Sequence, residues 1–269
     1  MSLPDTREGR RPRRLAVAAA FALVAALAAW LAVGLTEVAK ADDVPPSPRA
    51  TATALAPGAA KDAPPAAPAE GPYRIAHLTG DVPAYAAPGG ERTGTVAGSW
   101  WGYPSALPVI GQQDGYLLVR LQQRPNEATA WISAAGVETS LTPYRIVIDL
   151  VEHRLQWLES GAVIMDVPAI VGRPATPTPA GHFFVTMLYP GQSPGYGDLV
   201  LVLSAHSETI GNWQGSGDAI IAIHGPLGNE ASVDLAGATS NGCVRIHLTD
   251  LDALAATVVP GTPVDILGG

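Results

Sequence analysis

Short apolar runs separated by turn residues fill the chain from Tyr73 to its end and constrain the fold most strongly. The runs are four to nine residues long, and Gly, Pro, Asn or Asp separates nearly all of them. Runs of that length suit β-strands, whereas most helices are longer. Hydrophobic residues make up 47% of the chain, which is enough for a sizeable core. The pattern predicts a mainly β protein with one or two short helices.

The N-terminal region, residues 1–41, has the pattern of an export signal. Five arginines precede an uncharged run over residues 15–35, which as a helix would be roughly 30 Å long and would span a bilayer. Arginines on that side place the N-terminus in the cytoplasm and the remainder outside. The run is either a retained anchor in the membrane or a signal peptide, because Ala39-Lys40-Ala41 resembles a signal-peptidase site. Both interpretations predict an exported protein, held at the cell membrane or released into the cell-wall space.

Two segments of different composition follow. Residues 42–72 contain 10 Ala and 8 Pro, which predicts an extended, disordered linker. Residues 73–140 have a short apolar run every ten or so residues, which predicts a small antiparallel β-barrel. The runs at residues 107–110, 114–119 and 130–132 resemble a bacterial Src-homology-3-like barrel. That resemblance implies a module that binds cell-wall peptide or positions a catalytic neighbour.

An aromatic group consisting of Trp100, Trp101 and Tyr103 lies in a loop of this module. Clustered aromatic side chains on a surface can form a ligand-binding face. They can equally cover the open end of a small barrel. The sequence leaves both interpretations open.

Residues 141–269 are predicted to form a second, larger β domain. Its longer apolar runs cover residues 144–150, 154–158, 163–171, 182–188, 199–203 and 219–224. Residues 249–258 are predicted as a helix with Thr249 as its N-cap, ended by Pro260-Gly261. A strand over residues 262–267 closes the chain.

The chemistry of the second domain centres on Cys243, the only cysteine in the sequence. An exported protein meets an oxidising environment, in which a lone cysteine cannot pair within its own chain. One interpretation is a buried cysteine that acts as a small hydrophobe. The other is a nucleophile, because Ser240-Asn241-Gly242 before it and Arg245 after it are poor neighbours for a core.

His224 is the candidate base for that nucleophile. A thiolate attacks far better than a thiol, and an unperturbed cysteine is mostly protonated at neutral pH. His224 ends an apolar run and is followed by Gly225, so its ring is expected at a sheet edge beside a loop. The loop over residues 226–239 is long enough to return the chain to that edge and bring Cys243 to His224.

Together these residues resemble the signature of a known family. His224-Gly225, a loop, and then Ser240-Asn241-Gly242-Cys243-Val244-Arg245 are similar to the motif pair of the L,D-transpeptidase (YkuD-type) catalytic domain. Residues 171–183 resemble the strand–turn–strand motif of the same family. The likeness extends from about Tyr144 to the C-terminus, and it implies a β-sandwich-like catalytic domain.

The resemblance implies a reaction on peptidoglycan stem peptides. Cys243 would attack a stem tetrapeptide between its third residue, a diamino acid, and the terminal D-alanine. His224 would be the base, oriented by the backbone carbonyl of Gly225. Backbone N–H groups of Gly242 and Cys243 would form the oxyanion hole. The side-chain amine of a second stem peptide would resolve the thioester into a cross-link, and carbapenems are the expected inhibitors.

Three further residues of the motif have roles that the resemblance leaves open. Asn241 replaces a histidine that members of the family often carry, so it can scaffold the loop but cannot transfer a proton. Arg245 either grips a substrate carboxylate or ties the Cys243 loop to neighbouring backbone. Ser240 either donates to substrate or caps the turn.

Composition and spacing exclude several other classes. A formal net charge of −8 argues against nucleic acid as a partner. No His, Asp or Glu spacing predicts a metal site, and no phosphate or dinucleotide motif is present, so no cofactor is expected. An L,D-carboxypeptidase or peptidoglycan hydrolase, or a relative that attaches protein to peptidoglycan, would use the same site. Outside enzymes, the alternative is a catalytically silent cell-wall-binding protein.

Overall fold

The computed structural model describes residues 71–192, 194–213, 215–228 and 235–268, and strands dominate these residues. In chain order the strands are β1 (Tyr73–His77), β2 (Val82–Tyr85), β3 (Arg92–Val96), β4 (Ser99–Trp100), β5 (Tyr103–Pro104), β6 (Ala106–Gln113), β7 (Tyr116–Arg120), β8 (Thr129–Ser133), β9 (Glu138–Thr142), β10 (Tyr144–Asp149), β11 (Arg154–Glu159), β12 (Ala162–Pro168), β13 (Ile170–Gly172), β14 (Gly181–Pro190), β15 (Leu199–His206), β16 (Ile220–His224), β17 (Gly237–Ser240), β18 (Val244–Arg245) and β19 (Pro263–Leu267). The same residues contain one α-helix, α1 (Leu248–Ala255), and one 3-10 helix (Pro194–Tyr196). The prediction of a mainly β protein with one or two short helices is confirmed.

The first sheet contains seven of the described strands, in the order β3-β2-β8-β7-β6-β1-β9, and its pairings are antiparallel. Strands β4 and β5 form a separate hairpin between β3 and β6. Because successive side chains of a strand point to opposite faces, alternate residues such as Leu107, Val119 and Ile132 meet in one buried cluster. The resemblance of this region to a Src-homology-3-like barrel stays a prediction.

The second sheet contains ten described strands, in the order β12-β11-β10-β19-β14-β15-β16-β18-β13-β17. Strand β14 joins its two halves, because residues 181–184 pair with β19 and residues 185–190 pair with β15. The main core contains residues from both halves, among them Ile148 and Leu203. The halves therefore face each other around one core, as in a sandwich. Helix α1 adds Leu251 and Leu254 to the same core.

Two elements predicted from the sequence have wrong bounds. Residues 163–171 are not one strand, because β12 ends at Pro168 and β13 pairs with different neighbours. Proline has no N–H with which to continue a ladder. The helix covers Leu248–Ala255 rather than residues 249–258. Its N-cap is His247 rather than Thr249, because the carbonyl oxygen of His247 accepts backbone hydrogen bonds from the first turn.

Several predictions concern parts of the chain that the structure does not describe. The predicted export signal over residues 1–41 lies outside the described residues, as do residues 42–70 of the predicted linker over residues 42–72. Residues 229–234 of the loop before Cys243 lie outside them too. Within the described part of the chain, no helix is long and apolar enough to cross a membrane.

A junction of polar side chains joins the first sheet to the second. Asn126 exchanges two hydrogen bonds with the backbone of His206, both 2.9 Å long. The buried His206 ring contacts the Asp218 carboxylate through Nδ1 at 2.7 Å and the Gln122 carbonyl oxygen through Nε2 at 2.9 Å. Arg124 donates to the same carboxylate at 2.8 Å. A carbonyl and a carboxylate only accept hydrogen bonds, so the His206 ring is the donor in these contacts.

The carboxyl of Asp218 stays ionised at this junction. Burial raises its pKa, but the hydrogen bond and charge of His206, the backbone N–H of Ala219 and the charge of Arg124 together lower the pKa to about 2. An unfolded Asp has a pKa of roughly 3.9. The stabilising contribution is therefore complete above about pH 4 and is lost as the pH falls toward 2.

Replacing Asp218 by Asn is expected to lower the free energy of unfolding by about 2 to 3 kcal/mol at pH 7, because the buried His206 ring and the exposed Arg124 guanidinium lose the carboxylate that they contact. Urea unfolding followed by fluorescence measures the change. Asp166→Asn is the matched control, since it breaks the exposed Arg154–Asp166 pair at 2.6 Å and should cost less than about 1 kcal/mol. Equal losses from the two variants would contradict a junction role for Asp218.

Candidate functional site

The second sheet brings the two predicted motifs side by side. Strand β16, which ends at His224, runs parallel to β18, which begins directly after Cys243. In this register His224 lies opposite Arg245, and Ile223 lies opposite Val244. The 18 residues between His224 and Cys243 thus form a connection between adjacent strands.

Strand alternation places His224 and Cys243 on the same face of the sheet. Ile223 and Val244 both belong to the main core, so the residues next to them point to the opposite face. On that face Cys243 packs against a second apolar cluster. We call this cluster the apolar floor, and its buried members are Met187, Tyr196, Val200, Val202, Ile220 and Ala222.

The hydrogen bonding of His224 defines which of its ring nitrogens can accept a proton. Nδ1 lies 2.7 Å from the carbonyl oxygen of Gly225, and because a carbonyl only accepts, Nδ1 carries the hydrogen. In the neutral ring Nε2 then holds the lone pair. The ring of Tyr196 lies over the imidazole, with 4.5 Å between centroids and 31° between planes. The ring is therefore held in place from two sides with Nε2 as its basic atom.

His224 is neutral in the folded protein. Burial lowers its pKa most strongly, the positive charge of Arg245 lowers it further, and the Gly225 carbonyl acts in the opposite direction, with a resulting pKa of about 3. At neutral pH the imidazole is therefore a base whose Nε2 carries no hydrogen. Burial and Arg245 both disfavour an imidazolium in the resting site.

Ser240 belongs to the turn that carries Cys243. Its hydroxyl donates to the carbonyl oxygen of Cys243 at 2.6 Å and accepts the N–H of Gly242 at 3.0 Å, and the residue is 1% exposed. These two hydrogen bonds make Ser240 a cap of the turn, and its contact with substrate stays a prediction. The N–H of Gly242, predicted for the oxyanion hole, donates to Ser240 in this structure.

Thr178, in the connection between β13 and β14, supports the same turn. The sequence predicted no role for it. Its buried hydroxyl donates to the carbonyl oxygen of Gly242 at 2.7 Å and accepts the N–H of Gly172 at 2.9 Å. The sequence signal was its place in the strand–turn–strand motif. Tyr196, which covers His224, carried no comparable signal.

Both glycines of the motifs have a structural reason to be glycine. Gly242 has φ +124°, a region that L side chains rarely adopt. At Gly225 a Cβ atom would clash with the carbonyl oxygen of Gly195 and with the side chain of Leu248. The N–H of Gly225 donates to the carbonyl oxygen of Tyr196 at 2.9 Å, which holds the residue against the 3-10 helix.

Arg245 and Asn241 lie on either side of Cys243 in the chain and differ in burial. Arg245 is 7% exposed and lies between β16 and β13, opposite His224 and Ile170. Its charge acts on His224, so it belongs to the electrostatics of the site in either of its predicted roles. Asn241 is half-buried in the turn before Gly242.

The other histidines with described partners lie outside this face. His182 contacts Asp265 through Nδ1 at 2.6 Å, and His206 belongs to the junction between the sheets. Among the described residues, no three His, Cys, Asp or Glu side chains are grouped so that they could hold a metal ion. The chemistry available to the site is that of a thiol, an imidazole and a guanidinium.

The aromatic hairpin of the first module packs next to this site. Trp100, Trp101 and Tyr103 lie against the apolar floor together with Tyr189 of β14. The interpretation that they cover the open end of their own barrel is wrong, because they pack on the second sheet. Cys243 packs against the same floor.

The second sheet is similar in sequence to known proteins. Residues 143–266 match the family model described as "YkuD: L,D-transpeptidase catalytic domain". The Bacillus licheniformis and Bacillus subtilis proteins named "Putative L,D-transpeptidase YkuD" are 32% and 30% identical over 124 residues. Each alignment covers 46% of this chain and 66% of the relative, so the chain spans slightly less than two thirds of the length of these relatives.

Solved structures of L,D-transpeptidases are similar to part of the chain. An L,D-transpeptidase from Mycobacterium smegmatis is 16% identical with a TM-score of 0.39, over 61% of this chain and 90% of that chain. The catalytic domain of an Enterococcus faecium L,D-transpeptidase acylated by ertapenem is 22% identical with a TM-score of 0.33, over 48% and 99%.

Proposed function

We propose that the protein cross-links peptidoglycan stem peptides through residues 143–266, which match the L,D-transpeptidase catalytic domain of the YkuD family. Cys243 is the nucleophile and His224 is the general base. The observation that carries the proposal is their common placement beside the apolar floor, with the lone pair of His224 at Nε2. The acyl donor is a stem tetrapeptide, and the acceptor is the side-chain amine of a second stem peptide.

The reaction divides into acylation and transfer. In acylation, Nε2 of His224 takes the thiol proton as the sulfur of Cys243 bonds to the carbonyl carbon of the third residue. The C–N bond to the terminal D-alanine then breaks, and His224 gives the proton to the leaving amine. In transfer, the acceptor amine attacks the thioester and loses a proton to His224. That proton returns to sulfur as the C–S bond breaks.

The charges of the site suit this sequence of proton transfers. A neutral His224 can accept a proton in the transition state, and the imidazolium it becomes is a strong acid for the leaving amine. We assign the oxyanion to the backbone N–H of Cys243, a contribution of about 3 kcal/mol for one well-placed donor. The positive charge of Arg245 favours an anionic substrate group, such as the carboxylate of the terminal D-alanine.

Export and inhibition follow from the same proposal. The predicted export signal over residues 1–41 and the linker over residues 42–72 would carry the catalytic domain to peptidoglycan outside the cytoplasm. A carbapenem presents a strained lactam carbonyl to the Cys243 thiol. Opening of the lactam leaves its amine tethered to the acyl group, so no leaving group departs and the adduct persists.

Incubation with a purified disaccharide-tetrapeptide tests the function. We expect a cross-linked dimer that lacks one D-alanine, with one free D-alanine for each dimer, identified by mass spectrometry. Disaccharide-tripeptide without dimer would contradict transpeptidation and assign the protein as an L,D-carboxypeptidase. No turnover, together with a Cys243 thiol that is inert to iodoacetamide, would leave a cell-wall-binding protein.

A further inference from the structure

The tip of the β4–β5 hairpin has an unusual residue for its geometry. Trp101 and Gly102 are its two central residues and have φ angles of 51° and 80°, which define the turn type that favours Asn-Gly. A bulky residue in this left-handed region is rare and destabilises the turn, because its Cβ lies too close to the following carbonyl oxygen. The hairpin would form more readily with Asn at position 101. The cost therefore points to a use for the indole ring itself.

The ring of Trp101 is part of an ordered group of aromatic side chains. It meets Tyr189 of the second sheet edge to face, with 6.3 Å between centroids and 84° between planes. Tyr103 meets the same Tyr189 ring at 6.1 Å. We call Trp101, Tyr103 and Tyr189 the aromatic wall, and each of its members is half-buried. The wall stands on the apolar floor, against which Cys243 also packs.

Hydrogen bonds tie the base of the hairpin to the junction between the sheets. The hydroxyl of buried Ser105 donates to the carbonyl oxygen of Ala97 at 2.8 Å and accepts from the side chain of Gln122 at 2.9 Å. The carbonyl oxygen of Gln122 in turn accepts from the His206 ring on the second sheet. The position of the aromatic wall relative to Cys243 is therefore set by buried contacts rather than by a loose loop.

Strand order gives the span between the wall and the nucleophile. Tyr189 lies on β14, and β15 and β16 separate it from β18, which follows Cys243. Three strand spacings of about 4.8 Å amount to roughly 14 Å. An extended donor peptide acylated at its third residue, with the lactyl link to its sugar, has roughly four residue lengths and also covers about 14 Å. A stem peptide laid across the strands would bring its sugar to the wall.

On the basis of the proposed function, we propose that the aromatic wall binds a sugar ring of the glycan that carries the donor stem peptide. A sugar has an apolar C–H face and polar edges. The wall offers aromatic faces for the first and the phenol groups of Tyr103 and Tyr189 for the second. Trp101 is then a positioning residue for the acyl donor, contributed to the catalytic face by the first module.

Trp101→Asn removes the ring while keeping a residue that favours the turn. kcat/KM for D-alanine release is measured with the disaccharide-tetrapeptide and with the free tetrapeptide. We expect the ratio of the two values to fall about tenfold in the variant, which is the effect of one lost aromatic contact. Trp101→Tyr should recover most of the ratio. Tyr116→Ala, which removes a half-buried aromatic residue elsewhere on the same module, should leave the ratio unchanged.

The outcomes separate this proposal from the proposed function. An unchanged ratio in Trp101→Asn, including equal losses for both substrates, would overturn sugar binding by the wall. If the wild-type protein released D-alanine from neither substrate, the proposed function would fail instead. The wall is then tested by calorimetry of the disaccharide-tetrapeptide with Cys243→Ala and with the same chain carrying Trp101→Asn. Equal affinities would overturn the inference, and a tenfold weaker affinity of the double variant would support it.

Discussion

Replacing Cys243 by Ala is expected to abolish D-alanine release and dimer formation, with a loss of at least about ten-thousand-fold in kcat. The acyl group has no other thiol to which it can be transferred, because the sequence contains one cysteine. The apolar floor and the main core remain intact, since Cys243 is only half-buried at the edge of the floor. The measurement is single-turnover D-alanine release, followed by mass spectrometry.

A carbapenem provides a second readout for the same variant. The wild-type protein should gain the mass of one carbapenem, and peptide mapping should place the adduct on Cys243. Cys243→Ala should gain no mass while keeping the wild-type urea midpoint, which separates the loss of the thiol from a loss of the fold. Normal turnover by a stably folded Cys243→Ala protein would refute the assignment of the nucleophile.

Replacing His224 by Gln is expected to lower kcat about a thousandfold, because the amide has no basic atom to take the thiol proton. Gln still provides an N–H for the carbonyl oxygen of Gly225, so the local hydrogen bond can persist. His77→Gln is the matched control, since it changes a histidine on β1, in the first sheet, whose ring contacts Ser140 at 2.7 Å. That variant should retain wild-type activity.

Acid should destabilise the wild-type protein more than His224→Gln, because the fold holds His224 neutral. In the folded protein the pKa of His224 is about 3, whereas an unfolded histidine has a pKa of roughly 6.5. Between these values only the unfolded chain binds the proton, so acid weakens the wild-type fold by roughly 1 to 2 kcal/mol for each pH unit. The contribution is fully present above about pH 6.5 and is lost as the pH falls toward 3.

Urea unfolding at pH 7 and pH 4 measures this linkage. The difference in free energy of unfolding between the two pH values should be smaller in His224→Gln than in the wild type, by about 3 kcal/mol. Equal differences would mean that His224 is not held neutral in the fold. Full activity in His224→Gln would instead exclude it as the base.

The regions that could be predicted from sequence were those governed by local chemistry. Alternating runs and turn residues locate most strands, because side-chain alternation and backbone turns depend on near neighbours. The predicted helix exists as well, although it covers Leu248–Ala255 rather than residues 249–258. The strand predicted over residues 163–171 was divided at Pro168, because the two parts pair with strands that are distant in sequence.

The roles within the site could be predicted only in part. Cys243 and His224 follow from chemistry that few residue types can perform, together with a motif that resembles a family. The hydrogen bond between the N–H of Gly242 and the Ser240 hydroxyl could not be predicted, because it depends on the exact conformation of the turn. The depressed pKa of His224 depends on burial and on Arg245, which the parallel pairing of β16 and β18 brings opposite it.

The sequence by itself determined that the chain is mainly β, that its one thiol follows a His-Gly motif, and that an aromatic group interrupts the first module. These properties depend on residue type and on spacing over a few residues. Only the tertiary structure decided that Trp101 and Tyr103 stand on the floor beside Cys243 rather than on their own barrel. That placement depends on the junction around His206 and Asp218, where the hydrogen bonds to Gln122, Arg124 and Asn126 join residues 80 to 94 positions apart in the chain. Contacts at such separations form only when the two sheets pack together, so no local sequence pattern predicts them.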